Sequence, residues 1–124
     1  MKKANLGKTS TGIHAEMAAL LCYILGFITG IIFYVIEKDN KFVRFHAMQS
    51  IITFGGFFVI GIALSIITWM FIAIRLYFFM PLFNLISAIL WLAGIILWFI
   101  LMIKAYQGEK FKLPVIGDIA EKNA

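Results

Sequence analysis

Residues 47–103 read AMQSIITFGGFFVIGIALSIITWMFIAIRLYFFMPLFNLISAILWLAGIILWFILMI, and their only formal charge is Arg75. As a single helix this stretch would extend about 85 Å, far beyond one crossing of a bilayer whose hydrocarbon is about 30 Å thick. Two crossings joined by a turn fit instead. Counting inward from both ends brings the turn to Arg75–Pro81. Pro81 suits the first turn of a helix, where its missing N–H costs nothing. Tyr77, Phe78 and Phe79 suit the interfacial belt. An Arg at mid-bilayer would cost at least about 2.5 kcal/mol, and at a turn it costs little. The reading places spanning helices at about 46–72 and 80–103.

The composition agrees. The chain has 124 residues, 63% hydrophobic and 14% charged, with a mean hydropathy of +0.99. Soluble domains are about half apolar and about a quarter charged. A chain this short buries roughly two-thirds of its surface, so in water much apolar surface would stay exposed. A lipid bilayer is therefore the expected surroundings. Strands are disfavoured, because an open sheet in lipid leaves its edge groups unpaired.

Upstream, Met17–Ile36 is a further apolar segment of about twenty residues, the length of one crossing. It is too long for the apolar core of a signal peptide, and no cleavage site follows it. The expected fold is all-α: an integral membrane bundle of three transmembrane helices, at about 16–36, 46–72 and 80–103. A short cytoplasmic loop and an interfacial tail, 104–124, complete a single domain.

The net charge is +5. The cations sit at segment ends, where membrane orientation and anionic headgroups account for them better than nucleic acid does. Three spans put Lys2, Lys3, Lys8 and Arg75 on one side. Lys38, Lys41, Arg44, Lys104, Lys110, Lys112 and Lys122 lie on the other. The positive-inside rule then predicts an outside N-terminus and a cytoplasmic C-terminus in the cell membrane.

Two seams stand out. Small residues recur every fourth position at Ala18, Cys22, Gly26 and Gly30. On one continuous helix these would form a face for close approach, either to a second copy or to Gly55 and Gly56 of the next helix. Asn84, Ser87, Trp91, Gly94 and Trp98 share a face of the last helix. It is readable as internal packing with an amide–hydroxyl contact, or as a groove.

The polar stretch NKFVRFHAMQS, 40–50, brings His46, Gln49, Ser50 and Thr53 onto one stripe of the second spanning helix. One reading is an interhelical hydrogen-bond cluster with a basic anchor, at about 0.6 kcal/mol per bond. The other is a docking or lipid-headgroup site built from Lys41, Arg44, His46, Gln49 and Ser50 with Asp118 of the tail, and with His46 able to titrate near neutral pH. No catalytic constellation, metal-ligand spacing or phosphate-binding glycine loop is visible, and no cofactor is expected. Cys22 is alone and cannot form an internal disulfide.

Three stretches, LCYILGFITGIIF (21–33), EKDNKFVRFHAMQSI (37–51) and KAYQGEKFKLPVIGDIAE (104–121), resemble the Tic-twenty group. It comprises small prokaryotic membrane proteins and a component of the chloroplast inner-envelope import machinery. The resemblance implies a scaffold or channel part related to protein translocation, by analogy of family alone. It also implies that the tail motif meets the VRFHAMQ motif, with Arg44 pairing to Asp118 or Glu121. The expectation is a non-catalytic scaffold or complex subunit, working with a membrane-protein partner or as a homo-oligomer. The alternative is an oligomeric channel or small-solute transporter.

Overall fold

The computed structural model describes residues 7–124, so Lys2 and Lys3 lie outside the described residues. Those described form helices and turns without a strand: α1 (Ala15–Ile24), α2 (Phe27–Ile36), α3 (Lys41–Ala73), α4 (Met80–Tyr106) and α5 (Ile116–Lys122). Only α3 and α4 are long and apolar enough to cross a membrane. They run antiparallel, and the turn between them falls at 74–79, overlapping the 75–81 stretch expected from the sequence.

Both long helices end in the same motif. At the end of α4, Glu109 N–H bonds Lys104 C=O at 3.0 Å and Gly108 N–H bonds Ala105 C=O at 3.1 Å, with Gly108 at φ 79°. At the end of α3, Leu76 N–H bonds Phe71 C=O and Arg75 N–H bonds Ile72 C=O. These are Schellman caps, which satisfy the last orphan carbonyls and need a left-handed residue. Arg75 fills that place at φ 57° without being glycine, a conformation that costs an L-residue about 1–2 kcal/mol.

The first apolar segment is not one spanning helix. It breaks at Leu25–Gly26 into two ten-residue helices. Gly26 has φ 64° and ψ −133°, a region that side chains avoid. The chain reverses there, so α1 runs alongside α3 and α2 runs back against it. Ser10 N–H reaches both Glu37 carboxylate oxygens, at 2.9 and 2.8 Å, and Asn40 Nδ2 donates to Lys8 C=O at 3.1 Å. The two open ends of this hairpin are thus side by side. Ten helical residues rise about 15 Å, half the hydrocarbon thickness. The expected three-span bundle is replaced by two long helices and a half-length hairpin wedged against them.

Reversal changes the charge geometry. Lys8 joins Lys38, Lys41, Arg44, Lys104, Lys110, Lys112 and Lys122 at one end of the bundle. Among the described cations Arg75 alone is at the other. The expectation that the two ends of the chain lie on opposite faces does not fit, because residues 7–10 sit beside residues 37–40.

The reversal also explains two small residues. A Cβ on Gly30 would stand 2.9 Å from Ala47 O and from Ser50 Oγ, so glycine lets α2 lie directly on α3. Gly26 is the corner itself and shares no helical face with Gly30. Neither meets Gly55 or Gly56: a Cβ on Gly55 would only touch Phe27, at 4.0 Å, and one on Gly56 would touch nothing.

Candidate functional site: the buried polar cluster and the tail

At the charged end, α1, α3, α4 and the segment 107–115 converge on a set of buried polar side chains. His46, Gln49, Ser50 and Thr53 of α3 are all buried, and Tyr23 of α1 is fully so. The hydrogen bonds assign each atom a role. His46 Nε2 lies 3.0 Å from Glu109 C=O, which can only accept, so Nε2 carries the hydrogen. Nδ1 is then the acceptor for Tyr23 O–H, at 2.7 Å. Gln49 Nε2 donates to Tyr23 Oη at 3.1 Å and to Phe111 C=O at 2.9 Å. Its Oε1 accepts Leu113 N–H at 3.0 Å. Every donor and acceptor of the His46 and Gln49 side chains except one amide lone pair is thereby used, as buried polar networks require.

The network fastens the tail. Glu109, Phe111 and Leu113 contribute backbone groups, more than sixty residues away from their partners. The Schellman turn at Gly108 aims the Glu109 carbonyl at His46. Beyond it, Gly117 presses on the chain: a Cβ there would stand 2.5 Å from Lys112 Cβ and 2.7 Å from Lys112 Cα. Tyr34 O–H donates to Asn123 C=O at 2.8 Å, closing the far end of the tail on α2.

Ser50 serves the hairpin corner. Its Oγ lies 2.7 Å from the carbonyls of both Cys22 and Gly26, and donates to one at a time. Thr29 Oγ1 donates to Cys22 C=O and accepts Leu25 N–H, both at 3.2 Å. Backbone groups freed by a helix break inside hydrocarbon must be satisfied by neighbours, and these two hydroxyls do it. Thr53 Oγ1 is buried with no hydrogen-bond partner.

Arg44 is also engaged structurally. Its Nη1 donates to Tyr34 C=O at 3.0 Å and Glu37 C=O at 2.7 Å, capping the end of α2, and the guanidinium lies 4.1 Å from the Tyr34 ring centroid. The expected pairing of Arg44 with Asp118 or Glu121 is not made. Asp118 and Glu121 instead face Lys112, and Lys110 also reaches Glu121, at 3.6 Å. Lys41, the first residue of α3, is exposed at the rim.

Glu37 holds the N-terminal segment. Burial alone would raise its pKa; hydrogen bonds from Ser10, Asn40 and Asp39 outweigh that and hold the carboxyl below its ordinary 4.5. Its signal was legible as a carboxylate closing an apolar helix, but its partners were not. Tyr23 was also not singled out, and Trp98, expected on the shared face of α4, turns its indole N–H to Tyr23 C=O at 2.6 Å. A tyrosine within an apolar segment needs a partner for its hydroxyl, and that requirement pointed toward the His46–Gln49 stripe.

Farther along, an open groove of about 730 Å³ lies between α3 and α4, beneath the hairpin corner. Ser87, Trp91, Gly94 and Trp98 line it, so most of the expected face of α4 borders a groove, and Asn84 makes no amide–hydroxyl contact with Ser87. Among the described residues no three His, Cys, Asp or Glu side chains come together to hold a metal ion.

The sequence profile of the magnetosome magnetite crystal formation protein family matches residues 7–120. A UPF0132 membrane protein of Methanocaldococcus jannaschii is 50% identical over 117 residues, 94% of each chain. One from Archaeoglobus fulgidus is 47% identical over 107 residues, 86% of this chain and 92% of its own. A second M. jannaschii member is 43% identical, covering 90% of this chain and 71% of its own. No solved structure matches. These matches overturn the resemblance to the Tic-twenty group, and with it the suggested link to protein translocation: the stretches that carried it, 21–33, 37–51 and all but the last residue of 104–121, lie within the region matched by another family. The chain belongs to the magnetosome magnetite crystal formation protein family, and its relatives are membrane proteins.

Proposed function

We propose that this protein is a non-catalytic subunit of a complex in the cell membrane, with the charged end of the bundle forming a rigid cytoplasmic docking platform. The observation that carries this reading is the use of the buried polar groups. Tyr23, His46 and Gln49 are spent on pinning the tail, and Glu37 on pinning residues 8–10. What they leave facing outward is a basic rim at Lys38, Lys41 and Lys122, flanked by Lys104 and Lys110, which are paired with Glu109 and Glu121. Eight described cations at this end against one at the other favour the cytoplasm for it under the positive-inside rule. An acidic partner surface is the complementary chemistry, and anionic headgroups around the rim would orient the platform.

The family's description concerns magnetite crystal formation. For this chain we carry over a membrane-embedded organising role. Handling of iron would fall to a partner, since the described residues offer no cluster of ligands. Affinity purification at native expression in mild detergent, read by mass spectrometry, tests the proposal. The expected result is a membrane or acidic soluble partner lost when Lys38, Lys41 and Lys110 are changed together to Gln. Recovery of the chain by itself would defeat it.

A further inference from the structure

The half-length hairpin leaves the distal parts of α3 and α4 without a third element between them, and the groove opens there. Lipid tails would cover its apolar walls, so exposure of Phe58 or Ile66 implies nothing. The polar and small residues do. Ser65, Ser87 and Trp91 all line the groove, and none of their side chains makes a hydrogen bond among the described residues. At 1.5 Å per residue, Ser65 lies about 12 Å from the end of α3, and Ser87 and Trp91 about 10 and 16 Å into α4, all at hydrocarbon depth. The serine hydroxyls can turn back onto a carbonyl of their own helix, as Thr68 does onto Leu64 C=O at 2.8 Å, but the Trp91 indole N–H cannot, and neither water nor an acyl chain can satisfy it there.

The glycines point the same way. Gly30 is small because α3 lies on it. A Cβ at Gly61, in the groove, would meet nothing within 4 Å, and one at Gly94 only the Phe57 ring at 4.0 Å. Glycine inside a helix costs about 1 kcal/mol relative to alanine, and no contact among the described residues uses the room it leaves at Gly61.

The same face carries hydroxyl acceptors, an indole N–H donor, a hollow at the glycines and a projecting Trp91 that is 74% exposed. Donor and acceptor, knob and hollow, lie together on one surface, which is what a two-fold contact between identical partners needs. Close backbone approach at small residues with hydrogen bonds across is also how helices associate in lipid. We propose that this groove is the contact between two copies of the chain in the membrane, with the Trp91 ring of each entering the groove of the other and its N–H reaching a serine hydroxyl.

This goes beyond the platform proposal and is tested apart from it, at hydrocarbon depth and without any partner. In a Cys22→Ala background, Ser87→Cys or Ser65→Cys is oxidised in native membranes. The expected result is a disulfide-linked dimer at one of these groove positions and none at Val59→Cys, which is exposed but outside the groove. Adding Gly61→Leu, which has open space around it within the monomer, should cut the cross-link at least tenfold. Equal cross-linking at Val59, no cross-link at either serine, or no effect of Gly61→Leu would overturn the proposal. So would native mass spectrometry of the unmodified chain showing only monomers that retain lipid.

Discussion

Gln49 is the residue on which the tail depends most. One amide meets Tyr23 Oη, Phe111 C=O and Leu113 N–H, and no other polar type of its length both donates twice and accepts. Gln49→Leu keeps the volume but strands the buried Leu113 N–H and frees the part-buried Phe111 C=O, while Tyr23 Oη keeps its bond to His46, at about 1–3 kcal/mol for a buried group left unsatisfied. Hydrogen exchange at residues 109–113 should rise sharply while exchange in the middle of α3 stays slow; equal protection in the variant would contradict the assignment. Thr53 offers the opposite case. Its hydroxyl is buried without a partner, so Thr53→Val should leave the stability unchanged or raise it by roughly 0–2 kcal/mol, read as an unchanged or higher thermal midpoint. Glu37 supplies a pH dependence. Its folded pKa is below the ordinary 4.5, so its contribution is fully present above about pH 4.5 and is lost as pH falls through the depressed folded value. Amide exchange at Ser10 and Asn40 should accelerate across that fall, and Glu37→Gln should flatten the profile.

Among the elements, the hairpin is the one whose existence rests on a single backbone position. Gly26→Ala forces a side chain into a region nearly confined to glycine, at a cost of about 1–3 kcal/mol. Two outcomes are open to the chain: strain at the corner, or straightening toward the continuous helix that the apolar run 17–36 would otherwise form. Either way Ser50 and Thr29 lose their role at the corner. The measurement is the thermal midpoint in detergent with trypsin cleavage after Lys8; an unchanged midpoint and unchanged protection would show that the corner tolerates alanine. The α3–α4 hairpin is less delicate, because its turn is set by segment length, Pro81 and a Schellman cap rather than by one dihedral angle.

For the whole molecule, the decisive quantity is sidedness. With three spans, residues 8 and 123 would be separated by the bilayer; with two spans and a half-length hairpin they share one face. Lys8→Cys and Asn123→Cys, each in a Cys22→Ala background, should react with a membrane-impermeant maleimide from the same side, the cytoplasmic one. Labelling from opposite sides would reject the arrangement of α1 and α2 described above.

Hydrocarbon surroundings, two long crossings and the turn at 74–79 were legible in the sequence, because they follow from composition and length, which add along the chain and need no distant partner. The polar stripe of α3 was legible as a stripe for the same reason: its spacing is a local, helical property. The reversal at Gly26 was not, since a glycine in an apolar run reads equally as a packing residue or a corner, and the choice depends on Ser50 twenty-four residues away. That the tail meets the VRFHAMQ stretch was expected from the sequence, but the roles of Arg44 and Asp118 and the bonds that fasten the tail, from His46 and Gln49, were decided by tertiary structure alone. Each depends on which backbone carbonyl or N–H comes within 3 Å of a side chain, and that is a property of the packed helices rather than of any stretch of sequence.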